Sequence, residues 1–287
     1  MPELPEVEIV KRSLSKMVKK AKFIDIKIKN KNLRYKIPFN FSKYLKGQKI
    51  LKISRRSKYI IFHLKKYLLL MHLGMSGKLL IRRKKDNKIL KTSFYYDADV
   101  LKKHNHVYFT LNNGLILIYN DVRRFGFFKL YHVNSLENIP FLKKLGVEPL
   151  SNMFNLKYFK IGIINKKENI KKLLMNQEFL SGLGNIYSNE ILFKSKISPL
   201  RICDSLTKSE IKNLIFNVKK ILNFSIIKGG ASIKDFKDTS GKTGNFQQYF
   251  HVYDQNNKKC SRISCNGKIK KVLLGQRSTF YCNKCQK

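Results

Sequence analysis

Four cysteines, Cys260, Cys265, Cys282 and Cys285, fall within the last 28 residues of the 287-residue chain, spaced Cys-x4-Cys, sixteen residues, then Cys-x2-Cys. Two close thiol pairs suit a tetrahedral all-sulfur site, the arrangement of structural zinc. Disulfides are the alternative; with no secretory leader to be read in the sequence, clustered cysteines favour metal. Between the pairs, residues 268–274 and 278–281 read as two strands, with Gly275-Gln276-Arg277 as the tip. A metal would clamp the base of a ribbon too short for a core of its own and hold Arg277 at its far end. Cys203 stands apart and reads as a small buried apolar residue.

The other end of the chain carries a second kind of chemistry. It opens Met1-Pro2-Glu3-Leu4-Pro5-Glu6. Removal of Met1 would leave Pro2 with a secondary α-amine. An α-amine of ordinary pKa, roughly 7.7–8.0, is partly uncharged near neutral pH, and the positive end of a helix dipole favours the uncharged form further. Such an amine is a nucleophile able to form an imine-type adduct at a sugar C1′. Glu3 could move protons beside it, and Glu6 lies about one helical turn beyond. Taken alone, a Pro-Glu start is common and carries no meaning. A third feature is Gly182-Leu183-Gly184-Asn185, where glycines and an N-capping Asn185 lead into a new helix. Backbone N–H groups there make a phosphate seat, although an ordinary interhelical turn has the same signature.

Charge names a partner class. Lys and Arg total 60 against 18 Asp and Glu, a formal net charge of +42. Such a chain is drawn to polyanions, nucleic acid above all, with strong salt dependence; lysine-rich coding accounts for part of the excess. Runs such as Arg82-Arg83-Lys84-Lys85 read as solvated loops. With 43% hydrophobic and 12% aromatic residues the chain can build cores, which excludes disorder throughout. The longest apolar run, residues 67–71, is strand-sized, so a membrane role is not expected.

The elements that must position these groups follow from periodicity. Val7, Val10, Leu14, Met17 and Val18 recur at helical spacing, with Glu6, Lys11, Arg12 and Lys16 opposite and Pro5 in the first turn. From residue 23 to 131 the pattern becomes β: runs 23–28, 50–53, 59–64, 67–72, 78–81, 106–111, 115–119 and 125–131, with Asn112-Asn113-Gly114 as one turn. One helix and about eight strands predict a β-sandwich or barrel. Beyond Gly146, segments 155–163, 168–176, 185–194 and 207–228 read as helices. Ser151 or Asn155 caps the first, a Thr207/Glu210 capping box opens the last, and Gly229-Gly230 ends it.

The opening Met1-Pro2-Glu3-Leu4-Pro5-Glu6-Val7-Glu8 resembles that of the bacterial formamidopyrimidine-DNA glycosylases. The match continues, in the family's order, through Ser57-Lys58-Tyr59, His72-Leu73-Gly74-Met75-Ser76-Gly77 and Lys103-His104-Asn105-His106-Val107. It runs on through Asp121-Val122-Arg123-Arg124-Phe125-Gly126, Gly182-Leu183-Gly184-Asn185-Ile186-Tyr187 and Gln276-Arg277-Ser278-Thr279-Phe280-Tyr281-Cys282. The resemblance implies an α+β fold: an N-terminal helix plus β-sandwich (1–145), a helix–two-turn–helix domain (150–250) and a C-terminal zinc β-hairpin (251–287), with DNA in the cleft. It implies a base-excision enzyme that removes 8-oxoguanine and formamidopyrimidines from duplex DNA and then cleaves the backbone by β,δ-elimination. Pro2 would be the nucleophile, Glu3 the proton donor to the opening sugar, and Glu6 its support. Lys58, Asn185 and Arg277 would grip phosphates, Lys58 and Arg277 also moving protons. Met75, Arg123 and Phe125 would fill the gap left by the flipped base. His104 and Lys167, the latter preferred to Lys166, would be further DNA contacts.

One structural zinc on the four cysteines, no nucleotide or redox cofactor, a monomeric state and a bacterial cytoplasmic, nucleoid-associated setting complete the expectation. His72 reads as either a phosphate contact or a packed ring, His106 as a weaker contact, and His63, His132 and His251 as structural. Two departures stand out: the family usually spaces its first cysteine pair by two residues, and residues 82–103 are long and basic. The segment 229–246 resembles the family's loop over the extruded base; its Thr239–Gly244 portion lacks the spacing of a nucleotide-binding loop. Two rivals are an endonuclease VIII-like enzyme acting on oxidised pyrimidines, whose opening usually has Gly where this chain has Leu4, and a DNA-binding module that has lost catalysis.

Overall fold

Pro5 stands in the first turn of α1 (Leu4–Val18), where its missing N–H takes nothing from the helix. Glu3 is the N-cap and closes a reciprocal box with Glu6: each carboxylate accepts the other residue's backbone N–H. Leu4, Val7, Val10, Leu14 and Val18 enter the core as their spacing predicts. Glu6, expected on the polar side, is instead 1% exposed. Its two oxygens are occupied by the N–H groups of Glu3 and Ala231, both at 2.9 Å, and that is what permits its burial.

The computed structural model describes residues 1–90, 101–231 and 246–287. The chain divides into two compact units, 1–143 with 228–247 and 144–227 with 248–287. In the first unit the strands are β1 (Phe23–Ile28), β2 (Lys52–Arg56), β3 (Tyr59–His63), β4 (Tyr67–His72), β5 (Lys78–Arg83), β6 (Ile89–Leu90), β7 (Asn105–Leu111), β8 (Leu115–Asn120) and β9 (Phe127–His132). They form two antiparallel sheets, ordered β1-β7-β8-β5-β6 and β2-β3-β4-β9. A short helix, α2 (Phe41–Leu45), and the inner faces of the strands contribute to one apolar cluster with α1. A β-sandwich with an N-terminal helix is the fold that the sequence predicted.

Local differences have local causes. Arg82 and Arg83 continue β5 and pair with β8, so the basic loop begins only at Lys84. Strand β2 starts two residues later than the apolar run 50–53 suggested, because Ile50 is spent on backbone bonds to Lys20 and Ala21. Phe125 lies before β9, in a loop.

The second unit is mainly helical: α4 (Leu156–Ile163), α5 (Ile170–Met175), α6 (Asn185–Ser195) and α7 (Lys208–Ile227), after the short α3 (Pro140–Lys143) of the first unit. Asn155, not Ser151, caps α4, accepting from Tyr158 N–H at 3.0 Å. The Thr207/Glu210 box opens α7 as expected. Helix α6 is buried on nearly every side and is the post on which a terminal hairpin hangs, β10 (Ile269–Leu274) paired with β11 (Arg277–Cys282). Asn189 Oδ1 accepts from Phe280 N–H, and Phe193 joins Val252, Ile269 and Phe280 in a small core. The Glu190 carboxylate accepts from the backbone N–H groups of His251, Val252 and Tyr253 at 2.8–3.0 Å. Burial pushes its pKa up, and those donors offset only part of the rise.

Glu190→Gln puts an amide NH2 against these N–H donors. It should lower the unfolding free energy of this unit by about 2–3 kcal/mol, measured as a shifted urea midpoint. An unshifted midpoint would show that the carboxylate does not hold the 251–253 segment.

Candidate active site

In the first unit the residues expected to carry chemistry lie about the head of α1. Pro2 is buried, Glu3 is 3% exposed and Glu6 1%. Lys58, itself 6% exposed, comes from the two-residue turn between β2 and β3. The turn is held open by Ser57 in a left-handed conformation, φ 53°. Arg55 fastens this turn to the helix: its Nη1 donates to Ser57 O at 2.8 Å, while its Nε pairs with Glu8 of α1 at 3.0 Å. The arginine thus couples the lysine's hairpin to the helix that carries the proline.

His72 ends β4 and stacks on Phe127 at 5.5 Å. Burial and the nearby Lys58 and Arg34 cations hold its pKa down to about 3. Its Nδ1 accepts from Gly74 N–H at 3.0 Å, which a neutral ring with the proton on Nε2 satisfies. Of its two readings, the packed ring is the one the geometry gives.

Two loops, 73–77 and 121–126, meet around Asp121, which is fully buried. Its Oδ1 accepts from Ser76 Oγ at 2.5 Å; its Oδ2 accepts from Tyr119 Oη and Gly126 N–H, both at 2.9 Å. Arg123 N–H donates to Ser76 Oγ at 2.9 Å. The loops touch so closely that a Cβ on Gly74, φ 68°, would lie 2.4 Å from Gly126 N. Out of this clamp emerge the half-buried Met75, the exposed Arg123, and Phe125 at 41% exposure. The Arg123 guanidinium lies over the Phe125 ring at 4.6 Å. A thioether, a ring and a cation held on one rigid base make a wedge able to enter a base stack. His104 abuts the same clamp through its carbonyl, which accepts Asp121 N–H at 3.1 Å. The neighbouring His106 is buried, with Nε2 bonded to Asp121 O, and so serves the clamp.

In the second unit Gly184, not Asn185, is the N-cap of α6. Asn185 is its first helical residue, and its side chain turns to the hairpin: Nδ2 donates to Ser278 O at 2.9 Å. Its Oδ1 accepts from Lys171 Nζ at 2.7 Å. Lys171 is 1% exposed and also donates to Thr279 Oγ1 at 2.7 Å and Ser278 O at 3.3 Å. A buried ammonium thereby ties α5, the start of α6 and β11 together. It borders a 290 Å³ recess that Gly275 and Arg277 also line. The hairpin turn is two residues long, Gly275-Gln276, both at positive φ. Arg277 therefore belongs to β11, opposite Leu274, rather than to the tip. Lys167 is exposed and ion-paired with Asp204 at 2.7 Å. Lys171 escaped the sequence reading. The signal for it was a lysine within an apolar helical stripe, next to Ile170 and three residues before Leu174.

The four C-terminal cysteines converge. Their sulfurs lie within 4.8 Å of one another and none is disulfide-bonded. Cys260 and Cys285 are 3.7 Å apart, Cys265 and Cys282 3.6 Å. Tetrahedral zinc with Zn–S bonds near 2.3 Å has sulfur–sulfur edges of about 3.8 Å, which these separations fit. A Cβ on Gly267 would come within 2.7 Å of Cys282 Sγ, so the cradle requires glycine there. Burial raises the thiols of Cys260 and Cys285, whereas backbone N–H groups of Cys285 and Lys284 and the adjacent sulfurs bring Cys282 down to about 7, towards the thiolate a metal needs.

Residues 1–128 match the family model described as formamidopyrimidine-DNA glycosylase N-terminal domain, and residues 145–237 that described as formamidopyrimidine-DNA glycosylase H2TH domain. Curated relatives named formamidopyrimidine-DNA glycosylase include those of Bartonella tribocorum and of the Wolbachia of Culex pipiens. Each is 39% identical, with both chains covered in full. Among solved structures, Lactococcus lactis Fpg in complex with DNA containing an abasic site superposes with a TM-score of 0.85, at 33% identity over 99% of each chain. The same protein bound to DNA containing an oxidised pyrimidine also scores 0.85, over 100% of both chains.

Two outcomes follow from this geometry. Lys171→Met leaves Asn185 Oδ1 and Thr279 Oγ1 without their donor; it should lower stability by about 1–3 kcal/mol and weaken duplex DNA binding, measured by urea titration and fluorescence anisotropy. Elemental analysis should find one zinc per chain, lost in Cys282→Ser together with hairpin order and DNA affinity. A metal-free chain that binds DNA normally would remove the cluster from the argument.

Proposed function

This chain belongs to the formamidopyrimidine-DNA glycosylase family, and from that membership we propose that it removes oxidised purines, chiefly 8-oxoguanine and formamidopyrimidines, from duplex DNA and then cleaves the strand as a lyase. The observation that carries the reading is the proline at the head of α1 with two buried carboxylates beside it. It requires loss of Met1, which frees the Pro2 nitrogen.

A base in the stack is beyond the reach of that nitrogen, so the damaged nucleotide is extruded at a cost of a few kcal/mol, and Met75, Arg123 and Phe125 occupy the gap. The Pro2 nitrogen attacks C1′. The C1′–base bond breaks, and the base leaves with its electron pair and a proton. Glu3 protonates the sugar ring oxygen as the ring opens, leaving an iminium between Pro2 and C1′. Glu6, already engaged by two backbone N–H groups, fixes the helix head and with it the position of Glu3. Loss of a C2′ proton then expels the 3′ phosphate, and a second elimination expels the 5′ phosphate. Lys58 and Arg277 carry protons in these steps and, with Asn185, His104 and Lys167, grip phosphates. Water finally releases Pro2 from the sugar remnant.

Zinc on Cys260, Cys265, Cys282 and Cys285 would stiffen the hairpin that presents Arg277; its role is structural. We place the enzyme in the cytoplasm, on the chromosome, acting as a monomer. Among the described residues no helix is long and apolar enough to cross a membrane. The oxidised-pyrimidine complex of the Lactococcus lactis relative supports a second, narrower reading, in which some damaged pyrimidines are also bound.

Borohydride reduction of the enzyme with an 8-oxoguanine duplex should give a covalent protein–DNA adduct. That adduct should vanish in Pro2→Gly and when Met1 is retained, and fall at least tenfold with a thymine glycol duplex. Tight binding without any adduct would reduce the chain to a DNA-binding module. Preferential trapping on thymine glycol would transfer it to the pyrimidine class.

A further inference from the structure

Beside the Arg123–Phe125 wedge lies an open recess of 610 Å³, lined by Asn32, Leu33, Arg34, Arg123, Arg124 and Phe125. Arg34, Arg123 and Arg124 are all exposed, and none pairs with a carboxylate among the described residues. Elsewhere in the chain Arg55, Arg83 and Arg201 each have an acidic partner. Three unneutralised guanidinium groups around one hollow repel each other, a cost that a bound anion would remove.

The hollow is built rather than incidental. The 31–37 loop is rooted by Leu33 and Ile37, 8% and 2% exposed, and Arg34 N–H donates to Gly126 O at 3.3 Å. Opposite it, Arg124 is held at φ 57°, a left-handed conformation that L-residues other than Asn and Asp seldom adopt. Glycine would sit there without strain, yet the position carries an arginine directed to the recess. Leu33 and Phe125 give one apolar wall, suited to the face of a sugar.

We propose that this recess is a binding subsite for a sugar–phosphate unit of the undamaged DNA strand, with Arg34 and Arg124 as its phosphate clamps. The inference rests on the glycosylase reading above. Arg123 and Phe125 line the same recess and fill the gap left by the flipped base, so they face the orphaned base. That base belongs to the undamaged strand, whose backbone is therefore the nearest polyanion. Planar guanidinium groups bind phosphate through paired N–H donors and suit it better than ammonium groups do.

The test uses the full-length protein and a duplex carrying tetrahydrofuran, an uncleavable abasic analogue, with neutral methylphosphonate linkages placed either opposite the lesion or in the lesion strand. Neutralising the undamaged strand should weaken the unmodified enzyme about tenfold. The double variant Arg34→Gln/Arg124→Gln should lose a similar factor on the natural duplex. It should then be indifferent to undamaged-strand methylphosphonates, and its salt slope should be shallower by about one unit. Its binding to single-stranded lesion DNA should be unchanged.

Arg124→Gly, which accepts the left-handed backbone, should melt no lower than the parent protein and still bind the duplex more weakly. A double variant that keeps full affinity, or that remains as sensitive to the neutralised undamaged strand as the parent, overturns the proposal; so does an Arg124→Gly protein that binds normally. Borohydride trapping keeps the two readings apart. An unmodified enzyme that fails to trap on 8-oxoguanine refutes the glycosylase reading, whereas one that traps normally while the variants show no strand dependence refutes this subsite alone.

Discussion

The constraint on which the first unit turns is the satisfaction of two buried carboxylates at one helix start. A helix leaves its first N–H groups without partners, and a buried carboxylate without donors is costly. The reciprocal box of Glu3 and Glu6 answers both needs at once, and the Ala231 N–H completes Glu6. The helix head is thus a rigid platform with Pro2 immediately ahead of it. Rigidity has chemical value in the proposed reaction, because attack on C1′ gains from a nucleophile already in position. The same helix is fastened to the Lys58 turn through Glu8 and Arg55, both nearly buried. The proposed nucleophile and one of its proposed proton carriers therefore share one frame.

Distribution of charge extends this logic. The chain has few acids, and many of them are turned inward: Asp121, Glu190, Glu6, Glu3 and Glu8 are between 0% and 8% exposed. Each acts as a structural acceptor, binding loops, hairpin or helix head. Cations remain outside in excess, so the surface field is more positive than a random placement of the same residues would make it. Lys171, at 1% exposure, is the most deeply buried of the few lysines that are turned inward. It is a lysine drawn inside, held by neutral acceptors and placed where α6 meets the hairpin that carries Arg277.

What could be read from the sequence was what short range decides. Pro5 in a first turn, the Thr207/Glu210 box, Asn155 as a cap and the alternation of the strands all depend on neighbours a few residues away. The four cysteines were legible because thiolate spacing is itself a code. Glu6 was misplaced on a solvent face because its second partner, Ala231, is 225 residues distant. Asn185 was taken for a cap because capping is what an Asn after glycine usually does. Its actual partners are Lys171 and Ser278, the second of them 93 residues on. Lys171 itself bonds to Thr279 across 108 residues. The expected loop over the extruded base, 229–246, falls largely outside the described residues, as does part of 82–103.

These misses share a physical pattern. A polar side chain that deviates from its local preference has found a distant partner strong enough to override it, and such partners are where separate segments must be held in register. Asp121 shows the same pattern within one unit. Its carboxylate binds Ser76, 45 residues away, together with Tyr119 and Gly126, and so fixes the loops that bear Met75, Arg123 and Phe125. A wedge proposed to enter a base stack must not yield when pushed. An apolar patch under these loops would allow sliding, because dispersion contacts have little direction. A carboxylate with three short, directed bonds does not, and the burial of a charge is the cost at which that stiffness is obtained.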